Sequence, residues 1–403
     1  MINTSIQKPF SEPFLSEFVL APETLPFTDK EIAGFDKELT EYEQVFLNPD
    51  IEKNLISKNE LLASFAISKA ENSQLTLKEA QDVYAMMISN PAYDFIGEKL
   101  RASKKLTQKD HDKLEFFNIA KTFRALNHKP LTIADMTPHF LRSIHQQLTQ
   151  GLDVFADFLP DFTVYKSGKW RDNDMIRVGN YIPAPQFQIE TGVVELLRWL
   201  KSHPSATGVA IFHTALYALH PFNNGNKRVC RILEHILLRD LGFNPKNLYS
   251  TSYYYHKQKP RYYKYLLYSL ERKNLNHFVS FMLEALVLSI VSVVKTSLEV
   301  KRSEFLDRQN LEGQMKTALR PLVKRQEMQF KNLFRQARKK MARQTFVTYL
   351  QKATEQSMLV KRESGRATYY SLNVDFPEVK TLKKWRDVIV KKLTYIPDGI
   401  RLA

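Results

Sequence analysis

Cysteine occurs once in 403 residues, at Cys230. This excludes an intramolecular disulfide and a cysteine-built metal site. Glycine is scarce at 12, and the chain has no repeats or low-complexity tracts. The first residues, MINTSIQKPFSEPF, combine neither a basic n-region nor an apolar h-region. A secretory leader of ordinary form is therefore not expected, and cytoplasmic residence is. The longest apolar runs read as broken by charge short of a membrane span, so a soluble protein with no membrane partner is the expectation.

Acidic charge is the other shortage, and it is local. The net charge is +16, yet from Lys301 onward there are 24 Lys/Arg against 10 Asp/Glu, which is +14. A positive field concentrated in the last quarter of the chain suits a polyanionic partner such as DNA. The plainer alternative is a solvated helical face.

Apolar residues recur at i, i+3, i+4 and i+7 over Glu190–Leu200, Gly208–Leu219, Arg228–Leu241 and Phe278–Val294. The spacing predicts a helical bundle. Residues up to about Leu47 read as an extended or loosely helical arm. Phe162–Ile182 departs from helical spacing, with Gly168, Gly179, β-branched residues and the following Pro183 and Pro185, and is expected to form a short β-hairpin flap. After Thr296, charged helical sequence leads to Arg320–Arg343, with nine Lys/Arg and one acid, Glu327. A helix over Gln344–Thr354, two β-rich runs around Ser364 and Gly365, and a last helix over Leu382–Leu393 follow. Helices followed by a basic-tipped hairpin resemble a winged helix with Arg366 on the wing; a small accessory module that packs or dimerises is the alternative.

The most informative string runs from His220 to Arg231, HPFNNGNKRVCR. It lies between two helix patterns, so Gly225 and Asn226 should form a turn whose free N–H groups meet a helix N-terminus, an anion site. Lys227, Arg228 and Arg231 put three cations in and beyond that first turn, where the helix dipole disfavours them. An anion among them would account for their presence. His220 adds a group titrating near neutrality, suited to removing a hydroxyl proton. Taken singly, each has a plain structural use: a capping histidine, a loop glycine, solvated cations, and Phe222 as core anchor.

The string resembles the Fic signature, matching it at His220, Pro221, Phe222, Gly225, Asn226, Arg228 and Arg231. The resemblance implies a mainly α Fic core carrying a β-hairpin flap, here followed by the winged-helix-like α+β module. Its expected layout is an N-terminal arm over 1–53, a Fic core over 54–298 with an inhibitory helix near 62–76 and the flap near 162–182, and the basic module over 299–403. It implies transfer of AMP from Mg-ATP to a hydroxyl side chain of a protein docked at the flap. His220 would be the general base, Gly225 and Asn226 the anion hole, and Arg231 the grip on the terminal phosphate, with Lys227 and Arg228 also in the ATP-binding set. Ser68–Thr76 resembles the inhibitory helix, whose Glu71 would pair with Arg231.

Two positions depart from the pattern. Asn224 stands where the family usually has the acid that holds Mg²⁺, and an amide oxygen is a weaker ligand for that ion. Lys227 stands in place of glycine and resembles Doc-type motifs, which implies γ-phosphate transfer as a second reading. A third is a nucleotide-sensing DNA-binding regulator with a weak Fic core. Tyr253–Tyr255 and Tyr262–Tyr263 are candidates to stack on a base, although at helical spacing most such tyrosines are core. Fic cores commonly dimerise, so a homodimer is a further expectation.

Overall fold

Helices dominate because apolar residues recur at helical spacing and polar residues close the ends. In a computed structural model, which describes residues 5–129 and 131–397, the chain forms α1 (Asp29–Phe46), α2 (Pro49–Ser68), α3 (Leu77–Ser89), α4 (Phe95–Arg101) and α5 (Gln108–His128). Next come α6 (Pro138–Thr149), α7 (Ile189–Ser202), α8 (Ala206–Leu219), α9 (Asn226–Asp240), α10 (Thr251–Lys257) and α11 (Lys259–Glu271). The last are α12 (Asn276–Arg308), α13 (Gly313–Leu319), α14 (Phe330–Ala337), α15 (Arg343–Glu355) and α16 (Pro377–Lys392). Thr76 and Thr107 open α3 and α5 with reciprocal capping boxes: each Thr side chain accepts from the N–H three residues on, and the acid there, Glu79 or Asp110, accepts from the Thr N–H.

Two units result. One comprises the described chain up to Lys37 with Lys53–Ser289, the other Glu38–Glu52 with the chain from Ile290. In the first, α8 is buried at every position but Thr207, as a central helix must be. It is tied to its neighbours by one carboxylate. Glu234 of α9 is fully buried and accepts from Thr251 Oγ1 at 2.5 Å and Tyr255 OH at 3.0 Å, while lying 2.5 Å from His213 Nδ1 of α8.

The stretch Phe278–Val294 corrects the expectation about apolar runs. It belongs to α12, the helix Asn276–Arg308, which is long and apolar enough by length and composition to cross a membrane. The most apolar window of that helix is 83% buried within the protein.

The flap is a second correction. Among the described residues Phe162–Ile182 forms no β-hairpin, only the isolated bridge Val178–Tyr181. The segment is instead pinned by buried Arg171. Its Nε donates to His220 O at 2.8 Å, Nη1 to Asn173 O at 2.6 Å, and Nη2 to Ala184 O. One guanidinium thus does the work expected of a strand ladder, leaving much of the segment's backbone unpaired.

In the second unit β1 (Met328–Gln329), β2 (Leu359–Ser364) and β3 (Ala367–Leu372) form an antiparallel sheet in the order β1-β3-β2. Gly365, at φ 56°, lets the β2–β3 hairpin turn over two residues. Leu333, Ala337, Phe346, Leu350 and Ala353 bury the inner faces of α14 and α15 beside Leu359 and Leu372 of the sheet. Both strands of the hairpin match the two β-rich runs of the sequence; β1 carries no comparable signal because it is two residues long.

Replacing Glu234 with alanine should remove the shared acceptor of three buried groups. Each donor left without a partner costs about 1–3 kcal/mol, so the loss in urea-induced unfolding free energy should exceed that of Glu234→Gln, which keeps one acceptor oxygen. Equal, small losses for both variants would refute the carboxylate's structural role.

Candidate active site

The segment between α8 and α9 turns through two left-handed residues. His220 ends α8 at φ 51°, and Gly225 caps α9 at φ 82°. Only glycine adopts the second freely. Between them the loop is held from inside. Asn226 is buried, its Oδ1 accepting from Phe222 N–H at 3.0 Å and its Nδ2 donating to Phe222 O at 2.7 Å. Phe222 is fully buried and stacks on His145, centroids 3.9 Å apart and 3° from parallel, with Trp170 on it at 5.1 Å.

The hydrogen bonds of His145 fix its tautomer. Gly168 N–H donates to Nδ1 at 3.0 Å, so the proton sits on Nε2, which lies 3.1 Å from Asn224 O. Burial pushes its pKa down to about 3. A neutral, doubly bonded imidazole braces the loop.

Above the loop lies a cleft of about 310 Å³ whose walls include Glu71, Ile176, Arg177, His220, Gly225 and Lys227. His220 is mostly buried and its Nδ1 has no hydrogen-bond partner among the described residues. Burial first, and then the Arg171 charge, lower its pKa to about 4. At neutral pH the ring is therefore uncharged and able to accept a proton.

The three cations of α9 do not converge on one anion, which corrects their joint assignment: Arg228 goes to one place, and Lys227 and Arg231 to separate groups at the end of α2. Arg228 is fully buried and pairs with Glu115 of α5 at 3.0 Å. Arg231 donates from Nη1 to Ala66 O at 3.0 Å and lies over the Tyr262 ring at 4.3 Å. Lys227 alone lines the cleft; its Nζ lies 3.1 Å from Glu71 Oε2 and 3.4 Å from Ala70 O. The partner of Glu71 is thus Lys227, not Arg231.

A helix end explains the arrangement. The last carbonyls of a helix lack partners and carry partial negative charge. Chain from α2 continues as a 3₁₀ turn over Lys69–Glu71 and breaks at Asn72, φ 65°. The expected inhibitory helix thus stops before Thr76, which instead caps α3. The end is met by Arg231 at Ala66 O, by Tyr263 OH at Ala70 O, 2.6 Å, and by Lys259 Nζ at Lys69 O, 3.2 Å. Lys227 joins them, so the cations disfavoured at the start of α9 are favoured at the end of α2. Burial raises the Glu71 pKa, but the Lys227 ammonium, aided by Arg228, outweighs it and holds the carboxyl below its usual range. Lys227 is correspondingly raised by Glu71 against the effect of burial.

These residues do not fit a protein-held Mg²⁺. Asn224 Oδ1 accepts from Gly225 N–H at 2.7 Å. Among the described residues no group of three His, Cys, Asp or Glu side chains could hold a metal ion. Tyr255 and Tyr262 are fully buried, as core residues, and Tyr263 is engaged at Ala70 rather than open to a base.

Residues 135–238, from the approach to α6 through most of α9, match the Fic/DOC family. Over this segment the chain is similar to Fic-family proteins. A curated relative, the probable protein adenylyltransferase aq_aa38 of Aquifex aeolicus, is 27% identical over 157 residues, covering 36% of this chain and 45% of the relative. The match therefore spans less than half of that protein's length. The fold is similar to a Fic family protein from Desulfovibrio desulfuricans, with a TM-score of 0.50 at 20% identity over 87% of this chain and 99% of that one. It is also similar to Fic-1 from C. elegans, residues 134–508, at TM-score 0.50 and 15% identity, over 66% of this chain and 72% of that one.

Of the residues read from the sequence, the Fic loop brings His220, Asn224, Gly225, Asn226 and Lys227 to one cleft with Glu71, while Phe222, Arg228 and Arg231 lie behind it. Sequence reasoning missed Arg177 on the cleft wall, Glu115 behind Arg228, and the anchoring use of Arg171. Glu115 meets Arg228 and Arg171 meets His220 O across long sequence separations that leave no local signature, whereas Arg177 donates to its neighbours Asp174 O and Ile176 O.

The pairing at Glu71 can be measured. A double-mutant cycle of Glu71→Gln with Lys227→Met, read as unfolding free energy, should give a coupling of about 1–3 kcal/mol. The same cycle with Arg231→Met should give a markedly smaller one. Stronger coupling to Arg231 would reverse the assignment.

Proposed function

We propose that this protein transfers AMP from ATP to a Ser, Thr or Tyr hydroxyl of a target protein, with Glu71 restraining the reaction. The observation that carries the reading is His220: a neutral imidazole at the wall of a cleft floored by the Gly225 turn and the start of α9. The target oxygen attacks the α-phosphorus, the bond to the β-phosphate bridging oxygen breaks to release pyrophosphate, and His220 takes the hydroxyl proton. The first turn of α9 offers the N–H groups of Asn226 and Lys227 to the phosphates, while that of Gly225 is held by Asn224. Asn226 serves chiefly by bracing Phe222, and Arg171 holds the loop to the flap segment.

Target docking at that segment is supported by exposed apolar side chains beside unpaired backbone: Met175 is 83% exposed, Ile182 61% and Phe187 76%. An extended peptide could pair with the backbone and cover these side chains. Restraint by Glu71 is supported by its place in the cleft beside Lys227, where it occupies the cation that a phosphate would use. The proposal takes the protein as soluble, supported by the burial of α12, and as cytoplasmic on the sequence expectation alone.

A second reading, γ-phosphate transfer of the Doc type, is favoured by one observation: Lys227 lines the cleft whereas Arg231 is turned to Ala66. Incubation with ATP labelled separately at the α and γ positions decides between them. Retained α label indicates AMP transfer, and retained γ label alone overturns it.

His220→Ala should reduce transfer by about 10²–10⁴ while ATP binding persists. The pH profile adds a sharper signature. Because the folded pKa lies near 4, below the ordinary 6.5, the base stays deprotonated from pH 8 down to about 5, and kcat/KM should be flat there and fall only as pH approaches 4. A fall centred near 6.5 would exclude the buried imidazole as base. Glu71→Gly should raise self-modification and tighten ATP binding, and Lys227→Ala added to it should remove most of the tightening. Unchanged activity in Glu71→Gly would show that the acid imposes no restraint.

A further inference from the structure

The second unit carries a strongly basic surface that the transfer reaction does not use. Between Glu327 and Glu355 no acidic residue occurs, while Lys331, Arg335, Arg338, Lys339, Lys340, Arg343 and Lys352 do. The structure sorts these charges. On the β2–β3 hairpin the cations are mostly neutralised: Arg362 donates to both oxygens of Glu327 at 2.7 and 2.6 Å, and Lys361 pairs with Glu363 at 2.7 Å, leaving Arg366. Lys352 pairs with Glu312. In contrast Lys331, Arg335, Arg338, Lys339, Lys340 and Arg343 are all exposed, and none has an acidic partner among the described residues.

They share one supersecondary element. Helix α14, the five residues Arg338–Ala342 and helix α15 form a helix–turn–helix whose inner faces are buried through Leu333, Ala337, Phe346 and Leu350. The rings of Phe330 and Phe334 pack on Phe346, with centroids 5.7 and 5.3 Å apart. With its apolar side fully used, the outward side presents the unpaired cations along α14 and through the turn, then Gln344, Thr348 and Gln351, all exposed on α15. Six like charges on one short element repel each other, and nothing within the unit relieves that repulsion. A polyanion would. The polar row on α15 is the kind of face that reads base edges in a major groove, where Gln is suited to adenine.

We propose that the α14–α15 element docks double-stranded DNA, with Lys331 to Arg343 on the phosphates and the exposed face of α15 in the major groove. The order α13, β1, α14, α15, β2, β3 with sheet order β1-β3-β2 suits this, because it is the order of a winged helix. The proposal moves the contact surface from the hairpin tip expected from the sequence to the helix–turn–helix, since the hairpin's charges are mostly spent on its own acids.

The test uses the full chain and a fluorescently labelled 20-base-pair duplex, followed by anisotropy from 50 to 200 mM salt. Four to six phosphate contacts predict that log K falls against log salt with a slope of about 4 to 5. The triple variant Lys339→Glu, Lys340→Glu, Arg343→Glu should weaken binding at least about tenfold and cut the slope by about 3, with an unchanged circular dichroism spectrum. Arg366→Ala should change affinity less than threefold. Gln344→Ala with Gln351→Ala should reduce discrimination among duplex sequences selected from a random pool while preserving non-specific binding. No binding at 50 mM salt would overturn the proposal. So would equal losses for the hairpin and helix variants, or tighter binding to single-stranded RNA or to vesicles containing phosphatidylserine than to duplex DNA. None of these readouts depends on ATP transfer.

Discussion

Much of the first unit depends on one buried carboxylate. Glu234 gathers His213 of α8, Thr251 at the start of α10 and Tyr255 within α10, so α8 and α9 cannot shift independently without stranding a donor away from water. An unpaired buried polar group is costly. This constraint sets the separation of the two helices whose short link carries His220 and Gly225. The loop then inherits its geometry from a fixed frame, with Asn226 bracing Phe222 from within and His145 supporting it from α6.

The same economy of buried polar groups decides where the cations go. Read along the chain, Lys227, Arg228 and Arg231 look like one cluster, because they fall within five residues. On a helix, however, Arg228 points about 100° away from Lys227, and each finds a different negative centre. Arg228 reaches Glu115, while Arg231 and Lys227 close the end of α2. Lys227 therefore stands in the cleft with Glu71 on it, and under the proposed function a phosphate would compete for the same cation. In the second unit the sorting runs the other way: Arg362 and Lys361 of the hairpin meet acids nearby, and the cations of α14 and its turn meet none among the described residues.

The amino-acid sequence by itself determined the helical class and most helix positions. The predicted helices at Glu190–Leu200, Gly208–Leu219 and Arg228–Leu241 coincide with α7, α8 and α9, since helical periodicity is a local property. It also determined the chemistry of the loop, because His220, Phe222, Gly225 and Asn226 are contiguous and their left-handed turn needs glycine. Tertiary structure alone decided which side chains meet. Glu71 and Lys227 are 156 residues apart, and no spacing rule links them. The flap differs from its expected hairpin because a strand requires a partner as well as β-branched residues, and Arg171 supplies the restraint in its place. Its partners, His220 O and Ala184 O, are backbone atoms that any residue could provide, so they leave no trace in the sequence. The apolar run of α12 likewise has the composition of a membrane span, and only its burial among other helices shows that protein surrounds it.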